Sequence, residues 1–334
     1  MPPAVSDLDA FMATMVAAGD AVPLTAAAAL AHEEYGLEVT ATRLSGERDE
    51  NFRLTDAQGR QYVLKIASAA EDPVITDLPT AALLHLERAD PGFPCPRVLR
   101  SQAGLTQVRH AERTARILTY LDGKILRSVE RSAPQRAACG GLAARLGVAL
   151  RSFTHPAAER FLIWDLRHIG RVRALGDLPA GVDELILRID ARIAAEFSHL
   201  RQQVIHNDMN DMNLLVNPHD EADVVGVIDF GDLVHTALIA DVAIVAANQI
   251  VPGPAARDSI ADIVMAYHET TPLLPQELAM LNPLIAGRIL ADVVVASWHR
   301  RRNPTGTHYR DPDPAYVRER VDLAAGLLSS DFRL

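Results

Sequence analysis

Cysteine is nearly absent from this 334-residue chain, which contains only Cys95 and Cys139, and neither has a second cysteine or a histidine at ligand spacing. A disulfide scaffold and a structural zinc site are therefore not expected, and both thiols are predicted to be reduced core residues. Positive charge is also scarce, since the chain contains 33 Lys and Arg and 43 Asp and Glu, which gives a net charge of −10. Binding to nucleic acid or to an anionic membrane surface needs a basic face, so the sequence argues against both.

A long uninterrupted apolar run is missing too. The most apolar stretch, 233–251, is broken by His235 and Asp241, which predicts a buried helix rather than a membrane span. The N-terminus carries Asp7 and Asp9 where a signal peptide needs positive charge. With 49% hydrophobic and 23% charged residues, the composition is that of an ordinary globular protein, expected in the cytoplasm.

The order of apolar patterns predicts an α+β fold in two parts. Short segments rich in β-branched and aromatic residues, 38–45, 51–56 and 61–67, follow two short helices and predict a small antiparallel sheet. A helix over 78–89 is predicted next, with Asp77 as N-cap and Pro79 in its first turn. Beyond residue 121 the patterns become mainly helical, so we predict a smaller domain over 1–121 and a larger one over 122–334.

Two short polar loops in the second half resemble the catalytic segments of phosphotransferases. In that chemistry a loop Asp accepts the proton of the attacking hydroxyl, an Asn five positions later binds metal, and the Asp of a later Asp-Phe-Gly binds the metal that bridges the phosphates. Asp208 and Asn213 have this offset, and Asp229 opens Asp-Phe-Gly. We interpret His206, two residues before Asp208, as a buried hydrogen-bonding support for the loop.

Two features of the first half fit nucleotide binding. Lys65 lies in the middle of an apolar strand, where an ammonium group must either snorkel to water or meet an anion such as a phosphate. Its carboxylate partner is predicted to be Asp77, with Glu71 and Asp72 as alternatives. The polar hairpin 45–52, which begins at Ser45, has neither the GxGxxG nor the GxxxxGK[ST] pattern, so phosphate contacts there would come from backbone amides and a hydroxyl.

Taken together, these segments resemble the aminoglycoside phosphotransferase/choline kinase superfamily. The likeness is carried by VIHNDMNDMNLLV and VVGVIDFGD with YVLKIA, ILTYLDG and FLIWDLRH, and it extends over about residues 42–304. Within the superfamily the loop pattern is most similar to the hydroxylysine kinase-like branch. The chain departs from relatives at Asn207, where Gly is common, and near 77–79.

The resemblance implies a protein-kinase-like fold, with an N-terminal nucleotide-binding lobe and a C-terminal lobe that holds the catalytic loop and the substrate site. It implies these roles: Asp208 as catalytic base; Asn213 and Asp229 as Mg²⁺ ligands; Lys65 on the phosphates of ATP or GTP; and the backbone of Thr119, Tyr120 and Leu121 around the nucleotide base.

Family members phosphorylate a hydroxyl of a small, usually amine-bearing molecule, so carboxylates and aromatic faces near the base are candidates for binding an ammonium group. The sequence offers Asp211, Asp232, Trp164 and Asp165 for this role. Asp241 is either another such residue or an internal hydrogen-bond partner.

An amino-acid substrate would also need a cation for its carboxylate. Arg288 or the cluster 298–302 could supply one, although such a cluster is also typical of a solvated helix end.

The predicted function is transfer of the γ-phosphate of ATP or GTP to a small amine-bearing alcohol, with 5-hydroxylysine or a similar amino alcohol as the leading acceptor. Aminoglycosides, choline, ethanolamine, homoserine and a sugar such as methylthioribose are alternative acceptors. A nucleotide-binding pseudoenzyme is the alternative from another class, and it is disfavoured because Lys65, Asp208, Asn213 and Asp229 are all present. A protein kinase is disfavoured because no Ala-Pro-Glu-like element or long activation loop follows residue 231.

Overall fold

A computed structural model of the chain describes residues 8, 11–12, 21–46, 49–302 and 313–333. The chain divides into two compact units, one formed by Met1–Asp122 with His155–Ala157 and the other by Gly123–Thr154 with Ala158–Leu334. Most of the first predicted N-terminal helix lies outside the described residues, as do residues 47 and 48 of the polar hairpin.

The first unit is built on a five-stranded antiparallel sheet with the strand order β1-β2-β3-β5-β4. Alternate residues of the central strands, such as Phe52, Leu54 and Leu64, pack in one core with Ala27 and Leu30 of the first helix. The predicted antiparallel sheet is therefore confirmed. In chain order the elements are α1 (Leu24–Tyr35), β1 (Val39–Leu44), β2 (Glu50–Asp56), β3 (Gln61–Ile66), α2 (Pro73–Ala89), β4 (Val108–His110) and β5 (Arg113–Thr119).

Helix α2 begins five residues earlier than predicted. Asp72, not Asp77, is its N-cap, because the Asp72 carboxylate accepts the N–H of Val74 at 2.8 Å. Pro73 occupies the first turn, where a missing N–H costs nothing, and Pro79 lies inside the helix rather than in its first turn. The prediction was wrong because it treated Pro79 as the mark of a helix start.

The second unit is mainly helical and contains two small sheets. One has the strand order β6-β8-β9, and in the other β7 pairs antiparallel with β10. The elements are β6 (Lys124–Ile125), α3 (Ala133–Leu150), α4 (Val182–Glu196), β7 (Gln202–Ile205), β8 (Leu214–Asn217), β9 (Asp220–Val227), β10 (Val234–Ala237), α5 (Ile239–Gln249), α6 (Ala256–Thr270), α7 (Pro275–Arg302) and α8 (Pro314–Leu327).

The apolar stretch 233–251 is a helix only in its second part. Val234–Ala237 forms β10, in which Val234 lies opposite Ile205 and Thr236 opposite Gln203 of β7. The buried helix α5 follows from Ile239. The prediction of one continuous helix was wrong over 233–238, because in Val234–Ala237 a tertiary strand partner more than 25 residues away overrides the local helical pattern.

Helix α7 is the one described helix that is long and apolar enough to cross a membrane by length and composition, with a mean hydropathy of 1.7 in its most apolar window. Of that window, 83% is buried inside the protein, as in a core helix. Helices α3 and α6 cross closely at Gly140, where an added Cβ would lie 2.1 Å from the carbonyl oxygen of Ile263. Helix α3 therefore packs tightly against helix α6 in the second unit.

Candidate active site

Asp208 lies in the loop between β7 and β8, and its carboxylate is held by three side chains. Its Oδ1 accepts hydrogen bonds from Asn210 Nδ2 at 2.8 Å and from Arg288 Nη2 at 3.1 Å. Its Oδ2 accepts from Asn213 Nδ2 at 2.7 Å. The side chain remains 21% exposed. The carboxylate is therefore fixed in orientation while part of it stays accessible to a reacting group.

The same loop orients Asn213 and brings it beside Asp229. Asn213 Nδ2 donates to the backbone and side-chain oxygens of Asp208, at 2.9 and 2.7 Å, which leaves the amide oxygen as the atom to meet a cation. The carbonyl oxygen of Asn213 accepts the N–H of Ile228 at 2.9 Å. Asp229 is the residue after Ile228, so this hydrogen bond brings the two loops together. Asp229 is exposed and has left-handed backbone geometry, with φ of 60°.

Two ligands of this kind fit a magnesium ion that is shared with a nucleotide. Among the described residues there is no cluster of three or more His, Cys, Asp or Glu side chains that could hold a metal by itself. Mg²⁺ is ordinarily bound through one or two protein oxygens together with substrate phosphates and water. The amide oxygen of Asn213 and the carboxylate of Asp229 meet that requirement.

The electrostatic surroundings of Asp208 favour proton uptake. Burial raises the pKa of the Asp208 carboxyl to about 8, the guanidinium of Arg288 opposes this rise, and the carboxylates of Asp232 and Asp229 add to it. A base works best when its pKa lies near the working pH. A cation bound by Asp229 would shift the balance back toward the carboxylate form.

His206 connects the two polar loops. Its Nδ1 accepts the N–H of Asp208 at 3.2 Å, so Nε2 carries the proton and donates to the carbonyl of Ile228 at 3.2 Å. Complete burial lowers the pKa of His206 to about 4, so the ring is neutral at pH 7. Its ring also meets Phe230 edge to face, with the centroids 4.8 Å apart. The prediction of a buried hydrogen-bonding support is confirmed.

Asp241, on α5, is the internal hydrogen-bond partner rather than a residue open to substrate. Its carboxylate is 4% exposed and accepts the N–H of His206 at 3.1 Å and that of Asn207 at 2.8 Å. Burial raises its pKa to about 6. Asn207 has φ of 63°, a left-handed conformation that Gly and Asn adopt most easily, so the backbone at this position suits either residue.

Arg160 supports the second polar loop and was missed by the sequence prediction. Its Nη2 donates to the carbonyl of Gly231, 71 residues later in the chain, and to that of Leu233 at 3.3 Å. These carbonyls flank Asp232, so Arg160 fixes the backbone that follows Asp229. No local pattern marks such a long-range contact, and the one signal in the sequence is that Arg160 directly precedes the segment FLIWD.

Two of the predicted ammonium ligands are already paired with arginine. Asp211 accepts from Arg127 Nε at 2.9 Å and from Arg131 Nη2 at 2.6 Å. Asp165 is fully buried, pairs with Arg167 at 2.9 Å and accepts the hydroxyl of Thr236 at 2.9 Å. Both carboxylates have structural partners in this unit, so a role in substrate binding would require them to exchange these bonds.

The other predicted substrate residues are mostly buried. Asp232 is 8% exposed and Trp164 is 6% exposed, and the Arg288 guanidinium lies 4.9 Å from the centre of the Trp164 ring. Arg288 itself is committed to Asp208 and, through Nε at 3.0 Å, to Asp292. In the cluster 298–302, Arg302 stacks on Trp298, as at a solvated helix end.

The predicted nucleotide-binding residues lie in the first unit. Lys65 is 8% exposed in β3, opposite Asn51 and Arg116 of the neighbouring strands. Asp77 contacts His155 Nε2 and Gln107 Nε2, both at 3.3 Å, so its predicted pairing with Lys65 stays a prediction.

The hairpin and the strand end were predicted to surround the nucleotide, and their described residues make specific backbone contacts. Ser45 is exposed, and its carbonyl accepts Asn51 Nδ2 at 3.2 Å. At Gly46 an added Cβ would lie 2.3 Å from the carbonyl of Asp49, so only glycine fits. Thr119 and Tyr120 donate their N–H groups to the carbonyls of Arg97 and Gln61. Leu121 follows them and is half-buried.

Comparison with known proteins identifies the family. The model of the phosphotransferase enzyme family (APH) matches residues 40–278. Hydroxylysine kinase of Mus musculus is 27% identical over 317 residues, covering 85% of this chain and 84% of that protein. Homoserine kinase of Methylobacillus flagellatus is 31% identical over 293 residues, covering 83% of this chain and 84% of that protein.

Solved structures show the same fold. A microcompartment-associated aminopropanol kinase superposes with a TM-score of 0.67 at 19% identity, covering 91% of this chain and 95% of that one. Amicoumacin kinase in complex with AMP-PNP and Ca²⁺ gives a TM-score of 0.66 at 14% identity, covering 86% and 88%. These likenesses confirm the predicted α+β, protein-kinase-like fold class. The chain therefore belongs to the phosphotransferase enzyme family, as a small-molecule kinase with an alcohol group as its acceptor.

Proposed function

We propose that this kinase transfers the γ-phosphate of ATP or GTP, bound with Mg²⁺, to the hydroxyl of 5-hydroxylysine or a similar amino alcohol. The observation that carries the proposal is the arrangement of Asp208, Asn213 and Asp229. One carboxylate is fixed by hydrogen bonds from its own loop, and one backbone bond, from Ile228 to Asn213, brings the second loop alongside. This is the set of groups that phosphoryl transfer to an alcohol requires.

In the proposed reaction, Asp208 accepts the proton of the acceptor hydroxyl as its oxygen attacks the γ-phosphorus. The bond from that phosphorus to the β–γ bridging oxygen breaks, and the nucleoside diphosphate leaves with the electron pair. Asn213 and Asp229 would hold Mg²⁺, which supplies charge stabilisation on the phosphates. Positioning and electrostatics, rather than covalent chemistry, would provide most of the rate enhancement.

We assign nucleotide binding to the first unit and the catalytic loop with the acceptor site to the second. Lys65 would contact the phosphates, with Ser45 in the covering hairpin, and the backbone of Thr119–Leu121 would hold the nucleotide base. Lys65 suits this role because an ammonium group buried in a strand needs an anion to offset its lost hydration.

For the acceptor's ammonium group we favour Asp232. It lies three residues after Asp229, its charge acts on Asp208, and the backbone on either side of it is fixed by Arg160. Asp211 and Asp165 are each engaged by guanidinium groups, which makes them weaker candidates. A carboxylate near the base would select amine-bearing alcohols over neutral sugars.

The likeness to hydroxylysine kinases, at 27% identity across most of both chains, supports hydroxylysine as the acceptor. The 31% identity to a homoserine kinase makes homoserine the second candidate. Both acceptors carry an ammonium group, a carboxylate and a side-chain hydroxyl.

A panel of acceptors separates these possibilities. ADP or GDP release is measured with 5-hydroxylysine, homoserine, 1-amino-2-propanol, choline, ethanolamine, an aminoglycoside and the neutral sugar methylthioribose, each with both nucleotides and with Mg²⁺. We expect the highest kcat/KM with 5-hydroxylysine, and acceptor-dependent release by the Asp208→Asn variant that is slower by about 10²–10⁴-fold or more. A highest kcat/KM with homoserine would replace the leading acceptor, and a preference for acceptors without an amine would contradict the proposed role of Asp232.

A further inference from the structure

Arg288 is the one contact to the Asp208 carboxylate, among those the structure describes, that comes from outside the catalytic loop. Asn210 and Asn213 lie on the same loop as Asp208 and move with it. Arg288 lies 80 residues later, on helix α7, and donates from Nη2 to Asp208 Oδ1 at 3.1 Å. It therefore links the carboxylate to a core helix rather than to its own loop.

The guanidinium of Arg288 is itself held rigidly. Its Nε donates to Asp292 Oδ1 at 3.0 Å, one helical turn further along α7, and its plane lies over the Trp164 ring at 4.9 Å. The side chain is only 5% exposed. A planar guanidinium fixed on three sides presents its donors in one direction, which a flexible lysine could not do.

The burial of Arg288 is not explained by stability alone. Its Nη1 is buried and has no hydrogen-bond partner among the described atoms. A buried donor without a partner is unfavourable, and such groups in a folded protein call for a functional reason. The nearby charges give one, because Asp208 and Asp232 both act on Arg288 and Asp229 acts on Asp208. Its positive charge offsets part of the repulsion among three carboxylates.

Resting on the proposed function of Asp208 as the base, we infer that Arg288 is a positioning residue that fixes the Asp208 carboxylate from the core helix and does not bind the substrate. The predicted role as a cation for a substrate carboxylate fits the geometry less well, since the guanidinium is 5% exposed and Nη1 is buried. Replacing a positioning residue lowers the rate with every acceptor alike, whereas replacing a ligand of the substrate carboxylate weakens binding only of acceptors that carry a carboxylate.

The test compares Arg288→Met and Arg288→Lys with wild type, using 5-hydroxylysine and 1-amino-2-propanol as acceptors with and without a carboxylate. We expect Arg288→Met to lower kcat by about 100-fold with both acceptors, the size of effect that a misplaced catalytic group produces. We expect the KM values to change little and added guanidinium ion to restore part of the rate. The kcat of Arg288→Lys should lie between the kcat of wild type and that of Arg288→Met. Arg136→Met is the matched control, since Arg136 is also buried and paired, with Asp262 at 2.8 Å, and its loss should leave kcat unchanged.

A rise in KM confined to the carboxylate-bearing acceptor, or an unchanged kcat, would overturn the inference. A crystal structure of Arg288→Lys or Arg288→Met provides a readout that needs no acceptor. The Asp208 carboxylate is expected to leave the orientation in which it meets Asn210 and Asn213, and an unmoved carboxylate would also overturn the inference. Failure of the proposed function is a different result, seen as wild-type activity in Asp208→Asn.

Discussion

Replacing Asp241 by Asn should change the pH dependence of stability in a defined direction. The Asp241 carboxylate lies in the core, 4% exposed, and accepts the N–H groups of His206 and Asn207 just before Asp208, the proposed catalytic base. Burial raises its pKa from 3.8 to about 6, against the lowering effect of those two hydrogen bonds. The amide of Asn has nearly the same shape but cannot ionise.

The sign follows from proton binding. Between about pH 4 and pH 6 the folded wild-type protein holds a proton on Asp241 that the unfolded chain has released, so its free energy of unfolding falls as pH rises through that window. The shift from 3.8 to about 6, at about 1.4 kcal/mol per pKa unit, amounts to roughly 3 kcal/mol. Asp241→Asn does not lose stability in this way as the pH rises, because its side chain cannot ionise. The stability of the variant relative to wild type should therefore improve by up to roughly 3 kcal/mol between pH 4 and pH 7.

Urea denaturation of both proteins at several pH values in this window measures the difference, and all groups that the two proteins share cancel in it. Asp183→Asn is the matched control, because Arg173 lowers the pKa of that exposed carboxyl and the difference should move the opposite way, by less. A difference for Asp241→Asn that stays flat with pH, or that worsens as pH rises, would refute the reasoning.

Two further predictions concern backbone positions. Gly140→Ala should destabilise the second unit by several kcal/mol in thermal denaturation, because the added Cβ would lie 2.1 Å from the Ile263 carbonyl oxygen. Gly141→Ala is the control and should be neutral or slightly stabilising, because the space around Gly141 is open. Equal effects of the two substitutions would contradict the close crossing of the helices. Asn207→Gly should leave the free energy of unfolding nearly unchanged, because φ is 63° and both polar atoms of the buried Asn207 amide lack partners among the described residues. Asn207→Val should lower the free energy of unfolding by more than about 1–2 kcal/mol, because a β-branched residue is strained in this conformation. A Val variant more stable than wild type would disprove the left-handed backbone.

Local patterns predicted the parts of the fold that local patterns determine. Phe52 and Leu54 of β2 and Leu64 and Ile66 of β3 are alternate residues of their strands and pack in one core, as the apolar pattern predicts. The helix start at Pro73 was predicted wrongly because Pro79 was taken as the mark of the start, although Asp72 and Pro73 carry the same local signal. The strand Val234–Ala237 was predicted wrongly because it depends on the neighbouring strand β7, which the local pattern does not contain.

The two polar loops could be proposed as catalytic because the spacing of their residues is short and specific, whereas the arginines that support them from far along the chain could not be assigned that role. His206 and Asp241 were at least considered as internal partners, and the structure shows them holding the loop. Arg160 lies 71 residues from the carbonyl it binds, and Arg288 lies 80 residues from Asp208. Contacts over such distances follow from packing and leave no periodic trace in the sequence.

The most direct measurement is a comparison of Asp208→Asn with wild type, for turnover of 5-hydroxylysine and for binding of the Mg²⁺-nucleotide. Asn keeps the shape of the side chain, so the loop should remain folded, but it cannot accept the proton of the hydroxyl. We expect kcat to fall by about 10²–10⁴-fold or more while the Kd of the nucleotide stays close to the wild-type value. Phosphorylation by Asp208→Asn at near the wild-type rate would contradict the assignment of Asp208 as the catalytic base.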